Sequence, residues 1–245
     1  MAGRRMGTLL SVNLAAGRND ADAPSVGTGI DKRPVEEAVR LFDPGPKGVD
    51  ASGVEGDAVW SLRHHGGSDQ AVYAYAREDL DLWQAALGRR VPPGTFGENL
   101  TTLGVDITGA RIGERWRLGD EVVVAVTGPR IPCQTFARWM GERGWVRRFT
   151  ERGLPGAYLR VVVPGWVRAG DAIALVARPE HDVTVAIMFR ALTTRPDLLP
   201  ALLVAGEALP TEIRDAVAQY AGRQERAGGR AGSSATTPRR PVRTS

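Results

Sequence analysis

Cysteine is nearly missing from this chain: Cys133 is the one thiol in 245 residues. That excludes an intramolecular disulfide and any cluster built on several thiolates, so no iron–sulfur store of electrons is expected. Histidine is scarce as well, at three, and two of these are the adjacent His64 and His65, which point to opposite faces of an extended segment. A zinc site is therefore not expected. Neither Cys-x-x-Cys-His nor Gly-x-Gly-x-x-Gly occurs, which removes attached haem and the usual flavin or nicotinamide fingerprint. No apolar run is long enough to span a bilayer. Met1–Met6 leads into the strand-like Thr8–Leu14 without the apolar core or cleavage site of a secretion signal, so a cytoplasmic protein with no membrane partner is the expectation.

Positive charge is present but unevenly placed. The formal charge is +4, yet residues 223–245 hold six arginines against Glu225 alone, which leaves residues 1–222 at −1. A fold so close to neutral lacks the footprint of a duplex binder, and no specific nucleic-acid partner is expected. The segment from 223 onward is Gly, Ser, Thr, Pro and Arg with few large apolar side chains, and it reads as a disordered tail. The 42% hydrophobic content of the whole chain is ample for a core.

Strand signals dominate. Thr8–Leu14 is a first strand, and Val54–Leu62 is expected to include another. From 105 to 127 and from 157 to 177 short β-branched runs are broken by Gly-Asp turns, with Leu118-Gly-Asp-Glu-Val and Ala169-Gly-Asp-Ala-Ile repeating the same signal. Many short strands with few helices predict a mainly β fold, closed or nearly closed into a barrel. Glu78–Leu87 has Leu80, Trp83 and Leu87 at helical spacing and stops at Gly88. After Arg178-Pro179 the texture changes to three helix-length runs, Val183–Leu192, Leu198–Ala205 and Thr211–Tyr220, the last with Ile213, Val217 and Tyr220 on one face. The expected organisation is a barrel over 1–178, a three-helix extension over 179–222 and a tail over 223–245.

Cys133 stands at the end of Pro129-Arg-Ile-Pro-Cys133. The β-branched run Glu121–Thr127 reads as a strand ended by Gly128-Pro129, and Pro132 restricts Ile131 and itself, so the thiol is held on an elbow with few conformations. Arg130 supplies positive potential of the sign that favours thiolate. Cys133–Met140 reads as a short helix with Phe136, Trp139 and Met140 on its apolar face. Lys32 and Arg33 lie side by side ahead of Pro34 in an extended segment, either as an ordinary solvated pair, which the residues alone favour, or with both facing an anionic ligand. The glycine turn at His65-Gly66-Gly67 lets backbone approach a ligand beside a potential proton donor. The loop Gly94-Thr-Phe-Gly-Glu-Asn-Leu-Thr101 is polar for a segment holding Phe96 and Leu100, and serves either turn chemistry or a ligand cradle.

Taken in order, His65-Gly66-Gly67, Gly94–Thr101, Pro129–Cys133, Gly156-Ala-Tyr-Leu-Arg-Val161 and Gly170-Asp171 resemble the MOSC family, named for the C-terminal part of molybdenum cofactor sulfurases. The resemblance covers about residues 7–222 and is strongest to the stand-alone, YiiM-like bacterial branch with a three-helix extension. It implies a MOSC β-barrel that binds a molybdopterin-type cofactor, with Cys133 as molybdenum ligand and catalytic residue. It also implies a second catalytic role for His65 and cofactor contacts from Lys32, Arg33, His65, Gly66, Asn99, Thr101 and Arg130. The implied activity is reduction of N-hydroxylated compounds such as hydroxylaminopurine-type bases, with electrons from a separate flavin or iron–sulfur reductase. Two alternatives stay open: a non-catalytic carrier of cofactor or sulfur on Cys133, and a metal-free thiol hydrolase pairing Cys133 with His65. Pyridoxal phosphate is not expected, since only Lys32 and Lys47 are available for a Schiff base and the chain has no room for a sulfurase's separate desulfurase domain. The sequence leaves the oligomeric state open.

Overall fold

Alternating β-branched residues draw the chain into strands whose closure buries one face of each, and in the computed structural model they do close. Residues 3–16, 29–48, 52–57 and 66–232 are described, with side-chain surroundings up to residue 223. Strand β1 (Arg4–Ala15) is followed by the short β2 (Lys32–Val35) and β3 (Val39–Leu41), then by β4 (Val72–Ala76) and helix α1 (Arg77–Leu87). Next come β5 (Leu100–Leu103), β6 (Arg115–Leu118) and β7 (Val122–Pro129), two helices α2 (Gln134–Met140) and α3 (Trp145–Arg152), and strands β8 (Ala157–Val163), β9 (Gly165–Val167) and β10 (Ala172–Ala177). The sheet order is β10-β6-β7-β8-β4-β5-β1, and β1 pairs back onto β10, so seven strands form a closed mixed barrel with β2 appended to β1. Only the β4–β5 pair in this ring is parallel; the crossover between them holds α1 and the loop that follows. Closure leaves the ring no unpaired edge to protect.

The expected barrel is therefore present, with local differences. Strand β7 does not stop before Gly128-Pro129: Gly128 pairs with Tyr158 and Pro129 with Ala157, across a register shift after Val126. A proline is tolerated there because it is the last residue of the strand, past an irregularity, where no further ladder donor is needed. Val54 makes only an isolated bridge to Leu41, and the rest of the strand expected over 54–62 lies outside the described residues after Asp57. Helix α3 was not legible as such. Its signal is Trp145 and Phe149 one turn apart between Gly144 and Gly153, both left-handed.

All three C-terminal helical runs occur, but not as a detached unit. Helix α4 (Val185–Thr193) is capped by the Thr184 side chain, which accepts from the Ile187 N–H at 3.2 Å. The middle run, Pro196–Ala208, is a 3-10 stretch with Pro200 inside it and a kink at Gly206, because proline cannot sustain the α-helical ladder. Helix α5 runs from Thr211 to Gly232. Val185, Met188, Leu202 and Val217 belong to the same buried cluster as barrel residues Leu9, Val124 and Leu159. The helix also carries ten residues beyond the expected start of the tail, where Arg223–Ala227 are good helix formers that extend it and Gly228, Gly229 and Gly232 are not. Residues 233–245 of the expected tail lie outside the described residues.

A second cluster is aromatic and sits outside the barrel wall. Trp83 of α1, Phe96 of the following loop, Phe136 of α2 and Trp145 and Phe149 of α3 are all buried. Their ring centroids lie 4.7 Å apart for Trp83–Trp145, 5.3 Å for Phe96–Phe136 and 5.2 Å for Phe136–Phe149. Each such ring pair adds about 0.5–1.5 kcal/mol beyond area burial.

Asp79, in the first turn of α1, has its carboxyl pushed up to about 6, first by burial and then by the neighbouring Asp106 and Glu78. Because this exceeds the unfolded value of about 3.9, the folded state holds the extra proton between the two, and that stability is lost as pH rises through 6. We expect Asp79→Asn to remove a loss on the order of 1 kcal/mol, after solvent screening. Melting temperatures of parent and variant between about pH 4 and pH 7 check this; parallel curves would contradict it.

Candidate functional site

The loop after α1 is held from inside by a carboxylate. Glu98 is fully buried; it accepts from the Gly94 N–H at 2.6 Å, the Phe96 N–H at 3.0 Å and the Thr101 hydroxyl at 3.0 Å. Burial pushes its carboxyl above the usual range, against the pull of those donors. The fold turns tightly enough that Gly94 (φ 86°) presses on the backbone of Lys32, where a Cβ would come 2.2 Å from the Lys32 carbonyl oxygen; only glycine fits. A Cβ on Gly97 would meet both Ile30 and the Arg130 guanidinium. The two motif glycines thus bring β2 and the Pro129–Cys133 elbow against one loop.

Arg130 leaves the end of β7 and is buried. It donates to the Phe96 carbonyl, and its guanidinium lies 4.2 Å from the Phe136 ring centroid and 5.2 Å from that of Tyr73. Its pKa is raised: burial opposes the charge, but Tyr158, Tyr73 and Cys133 outweigh it. Cys133 follows at the N-cap of α2 in extended conformation (φ −128°, ψ 172°), half-buried against the aromatic cluster. Of the apolar face expected on α2, Phe136 and Met140 are buried, whereas Trp139 is 42% exposed and donates its indole N–H to the Thr95 carbonyl at 2.7 Å.

Lys32 and Arg33 part company. Successive residues of a strand face opposite sides: the Lys32 side chain is buried, while that of Arg33 is 73% exposed and pairs with Asp31 at 3.2 Å. The expectation that both face one ligand is corrected on that ground. Lys32 is tied to Asp57, its Nζ 2.5 and 2.6 Å from the two carboxylate oxygens. Burial, helped by Arg130, holds Lys32 below the ordinary lysine range, with Asp57 pulling it back up. Asp57 accepts besides from the Ala15 N–H at 2.9 Å, the Ser52 hydroxyl at 3.0 Å and Asn99 Nδ2 at 2.8 Å. A cleft of about 400 Å³ opens over it, lined by Arg40, Phe42, Ser52 and Glu55 among others.

Sequence reasoning missed Asp57, and Glu98 as the anchor of its loop. Asn99 donates its amide to Asp57 at 2.8 Å, the carboxylate that also holds Lys32, and accepts from the Tyr73 N–H at 3.2 Å. Thr101 does not present its hydroxyl to a ligand: it donates to Glu98 and accepts from Asn13 Nδ2 at 3.0 Å. Gly66 has a positive φ of 88°, and His65 lies outside the described residues. Among the described residues no cluster of three His, Cys, Asp or Glu is arranged to hold a metal ion, and no helix is long and apolar enough to cross a membrane.

The family model described as the MOSC domain matches residues 61–174. A Bacillus subtilis protein, the uncharacterized YflK, is 36% identical over 179 residues, which are 73% of this chain and 77% of that protein. The chain belongs to the MOSC domain family. The crystal structure of YiiM from Geobacillus stearothermophilus superposes with a TM-score of 0.68 at 25% identity, covering 86% of this chain and 97% of that one, so this is a YiiM-like MOSC protein. A Gibberella moniliformis protein named "Reductase" is 33% identical over 159 residues, 62% of this chain but 27% of that protein.

A molybdenum cofactor, which this family implies, needs a soft ligand for the metal and cationic or hydrogen-bonding groups for its anionic part. Cys133 provides the first and Arg130 beside it the second, with Lys32 close behind. The donor set fits, although Arg33 and Thr101 are not part of it.

We expect Asp57→Asn to destabilise the fold by about 3–5 kcal/mol, because it strands a buried ammonium. Pairing it with Lys32→Met should recover most of that loss, read by denaturant unfolding as a double-mutant cycle. An Asp57→Asn protein within about 1 kcal/mol of the parent would mean that Lys32 depends on other partners.

Proposed function

We propose that this protein holds a molybdenum cofactor through Cys133 and reduces N-hydroxylated small molecules with electrons from a separate protein. The observation that carries this reading is the placement of the chain's one thiol, half-buried on the elbow between β7 and α2 beside the buried Arg130. When bound, the cofactor supplies two-electron removal of an oxygen atom, a chemistry no side chain of this protein offers. The overall change is R–NHOH with two electrons and two protons to R–NH2 and water. Cys133 would ligate the metal as thiolate, and Arg130, fixed by the Phe96 carbonyl and two rings, would hold the cofactor's anionic part. Lys32 and Asn99, both held by Asp57, would back Arg130 from β2 and the loop before β5. His65 is assigned as proton donor. The relative named as a reductase supports the reductive direction, and nearly three-quarters of that protein has no counterpart here. The single cysteine and the missing cofactor fingerprints support a donor on a separate protein.

The decisive test compares parent and Cys133→Ser, both made in a cofactor-competent host, by elemental analysis and by turnover of an aromatic hydroxylamine with dithionite. The parent is expected to contain molybdenum and to turn over, and the folded variant to lose both, since a hydroxyl is a poor ligand for a soft site. Full occupancy and full turnover in the variant would remove the reading. Molybdenum without turnover in the parent would favour a carrier, and alkylation-sensitive ester hydrolysis by metal-free protein a thiol hydrolase.

NADH or NADPH alone should not support turnover of the loaded, homogeneous protein, whereas adding a flavin or iron–sulfur reductase should. Brisk NADPH-driven rates without a second protein would show that the chain handles hydride itself.

A further inference from the structure

The charge of the folded part is segregated. Residues 134–153, which form α2 and α3, hold five arginines and two glutamates. Arg89 and Arg90 join them from the end of α1, Arg89 donating to the Met140 carbonyl at 3.0 Å. This surface sums to +5, whereas the rest of residues 1–232, up to the end of α5, sums to −4. The segregation follows from packing: Phe136, Met140, Trp145 and Phe149 point inward, which turns Arg138, Arg143, Arg147 and Arg152 to solvent. Glu142 pairs with Arg148 at 3.0 Å and with Arg89 at 3.7 Å, and Glu151 with Arg147 at 3.7 Å, so among the described residues Arg90, Arg138, Arg143 and Arg152 have no carboxylate partner within salt-bridge distance. Beside these arginines, next to the elbow, Trp139 and Ile131 are 42% and 43% exposed. An exposed tryptophan among arginines, with few lysines or acids, is the composition of a protein-binding surface rather than of plain solvated helix.

We propose that the α2–α3 face is the docking surface for the electron donor, and that the donor is an acidic electron-transfer protein of flavin or iron–sulfur type. The inference rests on the reading of Cys133 given above. A donor must approach the metal ligand, and the residue following Cys133 begins α2, so a protein seated on this face reaches the elbow without crossing the barrel. Opposite charge steers such an encounter and makes it salt-sensitive.

The probe is a flavodoxin, a small acidic FMN protein, and the readouts are its affinity for this chain and its ability to drive hydroxylamine reduction. Binding should weaken at least tenfold between low salt and about 0.3 M, where screening is strong. The variant Arg138→Glu/Arg143→Glu/Arg147→Glu should lose at least tenfold in affinity and in flavodoxin-driven turnover. A control with the same charge change elsewhere, Arg115→Glu/Arg168→Glu/Arg190→Glu, should lose far less, and dithionite, which needs no docking, should drive parent and both variants alike. Equal losses in both variants, or none in the first, would overturn the proposal. So would tighter binding of this face to RNA or to anionic vesicles than to flavodoxin. Failure of dithionite-driven turnover in the parent would count against the molybdenum reading alone, since the affinity comparison still decides the docking face.

Discussion

The buried carboxylate of Glu98 is the constraint from which the site's geometry follows. A carboxylate out of water is costly unless it is surrounded by donors, and here the donors are two backbone N–H groups of its own loop and a hydroxyl of β5. Satisfying it leaves the loop one conformation. That conformation aims the Phe96 carbonyl at Arg130 and sinks the Phe96 ring among Trp83, Phe136 and Trp145. Arg130 is thereby held at one end and Phe136 at the other, and Cys133 lies between them in the chain. The position of the thiol is thus a consequence of polar satisfaction some thirty-five residues earlier.

A second buried carboxylate does for β1 and β2 what Glu98 does for the loop. Asp57 gathers the Ala15 N–H, Lys32 and Asn99 around itself, and the two hubs share the segment 98–99. Asn13 joins them, donating to the Glu98 carbonyl at 3.2 Å and to Thr101 at 3.0 Å, while Asn99 accepts from the Tyr73 N–H at 3.2 Å. The network crosses β1, β4 and β5, and so includes the parallel pair on which the crossover depends. Networks of this kind specify one arrangement when every member is satisfied and cost heavily when one is not.

The barrel was legible because β-branched runs at strand spacing leave few alternatives, and the elbow because two prolines just ahead of the cysteine restrict the backbone. Other features were not, each for a physical reason. Lys32 and Arg33 look equivalent in a string of letters, and only the strand's two-residue period separates a buried cation from a solvated one. The polar residues of Gly94–Thr101 read as a ligand cradle or as turn chemistry; Glu98 turns inward because the tight loop needs an acceptor for its own N–H groups, and Thr101 because its hydroxyl donates to that carboxylate. Asp57 sits in a stretch without periodicity, and its partners at Ala15, Lys32 and Asn99 are 42, 25 and 42 residues away, so no local pattern announces it. Helix α3 is eight residues with four arginine or glutamate neighbours around two aromatics, too short for its period to stand out until the partner ring on α1 is known.

The placement of Cys133 divides the labour between two kinds of packing. On one side the barrel, through β7, sets where the elbow begins; on the other the aromatic cluster sets where α2 lies, and the prolines limit what happens between. A thiol so bounded loses little conformational freedom when it takes a ligand, which is the condition for geometry to contribute to rate. The same rings that stiffen the inside leave the outer faces of α2 and α3 without apolar duties, and those faces carry the arginines. Rigidity within and charge without therefore come from one packing decision, the burial of Phe136, Trp145 and Phe149. A polar substitution at any of these three rings would loosen the thiol and rearrange the charged surface together.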